Sequence, residues 1–188
     1  MMHPVEHFSL FARVLHWLMA VMILAMLFIG IIMVTTVEPA YHRLVDLHRP
    51  LGISILLLAV VRLVNRWLIR VPPLPNTLPP ILRLAARLSH IVLYALMIGL
   101  PLVGWGMLSA GAYPVVMWPG FVLPPILPHD PALFAALRRL HTWLALILFG
   151  VVLVHLAAAL MHGLLLRDDV LPSMTGGRGN RTADDSAS

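Results

Sequence analysis

Residues 140–166 read LHTWLALILFGVVLVHLAAALMHGLLL. The run is apolar apart from a threonine and three histidines, and it exceeds the roughly 20 apolar residues that carry a helix across a hydrocarbon core about 30 Å thick. His141 and His155 lie 14 residues apart. At about 100° per residue that is nearly four whole turns, so both rings leave the helix on one face, about 21 Å apart along its axis. His162 continues that face 7 residues further on. An ionisable side chain inside a membrane span costs several kcal/mol unless it is paired or liganded, and marks a functional site by default. Two imidazoles near opposite membrane surfaces suit two cofactors, one in each leaflet. They are too far apart to share one metal ion.

Three further apolar runs, 14–34, 51–69 and 91–109, are long enough to span, and backbone satisfaction in lipid makes all of them helices. Over the whole chain of 188 residues, 60% are hydrophobic and 11% charged; mean hydropathy is +0.92. Soluble domains carry about a quarter charged residues, so a cytosolic enzyme, a nucleic-acid binder and a disordered chain are excluded. The fold class is all-α: a four-helix transmembrane bundle over residues 1–172, with a disordered cytoplasmic tail at 173–188. The first run is too long for the apolar region of a cleaved signal peptide. With no cysteine, disulfides, thiolate metal sites, iron–sulfur clusters and covalently attached haem are all ruled out.

Charge orients the spans. There are 13 Arg and no Lys against 8 acids, and Arg62, Arg66, Arg70, Arg83 and Arg87 cluster around the connection between spans two and three without an acid among them. That side faces the cytoplasm by the positive-inside rule, which puts both termini in the cytoplasm and the 35–50 and 110–139 connections outside. Val71–Pro80 is a stiff proline-rich tether. The outer 110–130 connection, with Tyr113, Trp118 and Phe121, reads as an aromatic anchor at the interface. Asp130 and Pro131 read as the N-cap and first residue of a helix that begins well before the bilayer.

Depth then pairs the histidines. His48 and His141 share the outer side, and His16, His90 and His155 share the inner side. Neutral imidazoles from two helices, one on each side of an iron, are what a six-coordinate b-type haem requires. A haem clamped between helices also needs a small residue one turn beyond its ligand. Four residues after His16, His48, His141 and His155 come Ala20, Gly52, Ala145 and Ala159, whereas Tyr94 follows His90 and Leu166 follows His162. That favours His16 over His90 as the partner of His155.

Arg13-Val-Leu-His16-Trp17 and the run from His48-Arg-Pro-Leu-Gly52 to Arg62 resemble the bacterial di-haem cytochrome b561 family. So do Leu100-Pro101-Leu-Val-Gly104 and His155-Leu-Ala-Ala-Ala159. The similarity runs in order from about residue 10 to 172. The resemblance implies an inner-membrane oxidoreductase with two haem b groups, held by His16–His155 on the inner side and His48–His141 on the outer side. It implies oxidation of superoxide at the periplasmic face and reduction of ubiquinone near the cytoplasmic face, with no obligatory protein partner. The quinone pocket maps near His90 and His162, each able to hydrogen-bond a quinone carbonyl or deliver a proton. Arg49, Arg138 and Arg139 flank the outer histidines and attract an anion.

Plainer roles compete for several of these residues. Arg138 and Arg139 also suit snorkelling anchors or haem-propionate partners, and Arg62 and Arg66 serve the positive-inside signal. His90 and His162 lie at the bilayer edge, where interfacial histidines are common. His3, His7, His42 and His129 fall in tails or loops and carry no assigned role. A haem-bearing anchor that exchanges quinol electrons with a partner redox subunit is the alternative function. A divalent-metal transporter fits poorly, because it needs ligands converging near the midplane with acidic companions, and the spans contain no Asp or Glu.

Overall fold

The structure is a computed structural model and describes residues 8–37, 39–69 and 80–166. Among these, four helices are long and apolar enough to cross a membrane: α1 (Leu10–Thr35), α2 (Ala40–Leu68), α3 (Pro80–Ala110) and α4 (Pro131–Leu160). A π-helical turn, Met161–Leu166, extends α4. Most of the proline-rich tether and the C-terminal tail lie outside the described residues.

The helices outrun the apolar runs that announce them. α2 begins at Ala40 rather than near Leu51, and α3 at Pro80 rather than near Ile91. Their leading turns carry His42, Arg43, Asp46 and His48, or Arg83, Arg87, Ser89 and His90, which break hydropathy but not helix formation. α4 starts where its capping pair indicates: Asp130 Oδ1 accepts hydrogen bonds from the Ala132 and Leu133 N–H groups at 2.8 and 3.0 Å. Ser9 caps α1 in the same way, accepting from the Ala12 N–H at 3.2 Å. Pro50 and Pro101 lie inside α2 and α3, a placement that membrane helices tolerate because their neighbours re-satisfy the freed carbonyls.

Consecutive helices pack on one another, α1 on α2, α2 on α3 and α3 on α4. The core is a short apolar plug at mid-height, made of Met19 and Ile23 from α1, Ile55 and Ala59 from α2, Leu93, Leu96 and Met97 from α3, and Leu148 from α4. Leu148 is 7 residues from both His141 and His155, so the plug separates two histidine layers. The outer faces of the helices are apolar and uncovered, as at Val21, Phe28 and Val154, all more than 60% exposed. A lipid-facing surface has that composition, and a water-facing one does not.

The connection after α3 is more ordered than its sequence announces. Val115–Trp118 (β1) and Phe121–Leu123 (β2) form an antiparallel hairpin with a bulge between Val116 and Trp118. Pro119 and Gly120 make its turn. Gly120 has φ +87°, which a type II turn needs at its third position. The Trp118 and Phe121 rings stack across it with centroids 4.5 Å apart.

α3 ends in a Schellman pair, with the Tyr113 N–H on the Leu108 carbonyl and the Ala112 N–H on the Ser109 carbonyl. This places Ala112 at φ +57°, a left-handed conformation that favours glycine. The neighbouring Gly111 is needed for space instead: a Cβ there would fall 2.6 Å from Tyr113 Cδ2 and 2.7 Å from Phe134 Cδ2. Thermal unfolding in detergent should separate the two roles. A112G is expected to raise stability by up to about 1 kcal/mol, and G111A to lower it.

Candidate functional site

Two clusters of half-buried histidines stand above and below the apolar plug. In the first, His48 of α2 faces His141 of α4 with ring centroids 6.2 Å apart and planes at 65°. Both rings keep a buried Nδ1 with no hydrogen-bond partner. The Leu100 backbone acts on the His141 ring, but no bond of good geometry reaches Nδ1. A buried polar atom left unsatisfied costs about 1–3 kcal/mol, so the protein alone does not complete this pair.

Two imidazoles bound to one metal lie about 6 Å apart between ring centres, from metal–nitrogen bonds of about 2 Å and roughly 1 Å from each ring centre to its nitrogen. The outer pair has that separation, so its geometry and its orphaned atoms fit a bis-imidazole iron. Gly104 makes room for it. A Cβ on Gly104 would come within 3.2 Å of His141 Cε1 and 3.4 Å of Nδ1. Gly52, the small residue one turn from His48, would place its Cβ 3.5 Å from Met26 Cε, an ordinary contact.

Arg49 belongs to this layer. Its Nη1 donates to the Pro114 carbonyl at 3.3 Å, tying α2 to the foot of the hairpin, while its Nε is buried without a partner. Arg138 and Arg139 are exposed on α4. The groups acting electrostatically on His48 are His141 and Arg49, so of the three arginines expected at the outer entrance, Arg49 is the one engaged with the histidines.

The second layer gathers His16 of α1, His90 of α3 and His155 of α4. His90 and His155 meet edge to face with centroids 5.5 Å apart, closer than a metal-bridged pair. His16 packs edge-on against Trp17 and lies within electrostatic reach of Arg62, His155 and His90. The His90 Nδ1–H donates to the Ala86 carbonyl at 2.7 Å, which leaves Nε2 as an acceptor.

Arg62 braces the layer. Its Nε donates to Tyr94 Oη at 3.0 Å, and its Nη1 reaches the Ala12 carbonyl at 3.5 Å. One α2 side chain thus ties together the α1 turn before His16 and the α3 turn after His90. The sequence offered Tyr94 only as a bulky residue beyond His90. Its i+4 spacing from His90, at the depth of Arg62, was the available signal. His162 lies half-buried in the π-helical turn, a widening frequent at functional sites. Among the described residues no three His, Asp or Glu side chains converge to hold a bare metal ion.

A family model for prokaryotic cytochrome b561 matches residues 7–177. The chain belongs to the prokaryotic cytochrome b561 family. It is 31% identical over 176 residues to cytochrome b561 homolog 2 of Escherichia coli (strain K12), covering 91% of this chain and 92% of that protein. It is also 29% identical over 128 residues to the probable superoxide oxidase CybB of Yersinia pestis, covering 68% and 72%. Membership makes this a multi-pass membrane electron-transfer protein with b-type haem. In addition to the histidines, each layer has near it an arginine with a buried, unpartnered Nε, Arg13 before His16 and Arg49 after His48. A free guanidinium N–H suits the carboxylates that a haem b carries.

The outer pair predicts a graded response. G104A is expected to reduce haem absorbance per chain and G104V to reduce it further, because each pushes the His141 ring out of line. G52A should leave haem content unchanged. Visible spectra normalised to protein read all three.

Proposed function

We propose that this cytochrome b561 is a superoxide:ubiquinone oxidoreductase of the bacterial inner membrane, with both termini in the cytoplasm and two haem b groups. The observation that carries it is the split of the half-buried histidines into two layers, one on each side of an apolar plug. In this reading His48 and His141 hold the outer haem, and His16 and His155 the inner one. The haems, when bound, accept and release one electron at a time. Two superoxide anions each give up one electron and leave as dioxygen, and ubiquinone takes those two electrons with two protons to become ubiquinol.

The chain's own residues have distinct tasks. Arg49 adds positive charge beside the outer pair, with Arg138 and Arg139 exposed nearby on α4, a field that draws an anion to this face. On the inner side His90, whose Nδ1 is bonded to Ala86, keeps Nε2 to accept and pass a proton. With His162 it forms the quinone pocket. Because its ring packs against His155, His90 is also the competitor for the inner axial position.

Ligation is tested by haem stoichiometry. H48A or H141A should remove the outer haem alone, and H16A or H155A the inner one, each cutting haem per chain by about half. Loss of the inner haem in H90A with its retention in H16A would reverse the inner pairing. Activity is tested by anaerobic visible spectroscopy of the purified protein. Superoxide should reduce the haems, and a ubiquinone analogue should then reoxidise them. Haem that quinol reduces and superoxide does not would make the protein an anchor for a partner redox subunit instead.

A further inference from the structure

Where the end of α2 meets the start of α1, α1, α2 and α3 leave a cavity of about 30 Å³, lined by Phe8, Ser9, Arg62, Asn65, Arg66 and Tyr94 among others. That volume has room for about two water-sized groups, enough for a pair of oxygens. Its lining includes two guanidinium groups and no carboxylate. Tyr94 Oη accepts the Arg62 Nε–H bond, so its own proton is available to a second acceptor. Phe8 adds an aromatic side chain to the lining.

Arg62 and Arg66 lie in the last two turns of α2, from which long arginine side chains snorkel to the headgroups. Basic pockets between transmembrane helices at that level bind lipid headgroups, and guanidinium is the side chain best matched to phosphate.

We infer that this cavity seats the phosphodiester oxygens of an anionic phospholipid. Arg66 stands at the mouth, and Arg62 and Tyr94 form the floor. Arg62 then does two things at once: it holds the inner histidine layer together and faces the lipid. The seat is independent of whether superoxide is the substrate. A haem carboxylate has the same oxygen chemistry, and the test separates the two sources.

The haem-loaded full chain, in mild detergent, is titrated with phosphatidylglycerol or with zwitterionic phosphatidylcholine, and bound lipid is counted by native mass spectrometry. Wild type and R87Q, which removes an exposed arginine outside the cavity, should retain one phosphatidylglycerol in preference to phosphatidylcholine. R66Q should lower that occupancy about fivefold with haem content unchanged, and R66K should restore most of it. Equal occupancy in wild type and R66Q, or no preference for phosphatidylglycerol, overturns the proposal. Unchanged lipid with a lost or shifted haem spectrum in R66Q overturns it too and assigns the arginines to a haem carboxylate.

Discussion

An imidazole inside a membrane has two nitrogens to satisfy and no water to help, and the bundle is arranged around that constraint. His90 meets it locally by bonding to the carbonyl one turn back in its own helix. His48 and His141 do not, for each retains a buried Nδ1 without a well-formed hydrogen bond. Across the bundle these two rings stand at the distance an iron would span. Their neighbours follow from this. Gly104 lacks a side chain where the His141 ring needs clearance, and the main cluster of packed apolar residues sits in the middle of the bundle. A protein built only to cross a membrane would have no reason to leave two polar atoms dry in its interior.

The two layers solve different electrostatic problems with similar parts. The His48–His141 layer is a simple pair of rings, with Arg49 held by the hairpin through Pro114. The other layer has three rings and an arginine brace bonded to two other helices. The brace fixes three helices at one height, the precision a cofactor or quinone site requires.

The spans and their number were legible because hydropathy over about 20 residues is the strongest signal a sequence carries. Helix ends were less so. At α2 and α3 the polar residues that serve the site, among them His48 and His90, also interrupt the hydropathy, so function hid the true starts. Asp130 and Pro131 escaped this because capping is chemistry local to two residues. The hairpin was missed since Pro119, Pro124, Pro125 and Pro128 give its sequence the look of a coil, and Trp118-Pro119-Gly120-Phe121 is a turn only if its flanks pair. Two histidine layers could be read from helical geometry alone. That His90, and not only His16, reaches the neighbourhood of His155 depends on how α3 is rotated about its axis, and single-helix periodicity does not fix that rotation.

The plug between the layers has a consequence for charge movement. Met19, Ile23, Ile55, Ala59 and Leu148 offer no polar atom to a water chain, and an apolar interior of this kind stays dry. The plug therefore gives protons no relay of its own side chains, whereas electrons can pass between cofactors without one. In the proposed reaction, a quinone reduced on the cytoplasmic side would draw its two protons from that side. An electron moving inward across the full membrane works against the resting potential, at about 2.3 kcal/mol per charge for each 100 mV. On the proposed reading, inward transfer would demand a donor reducing enough to overcome that opposition, and the reaction would respond to membrane energisation.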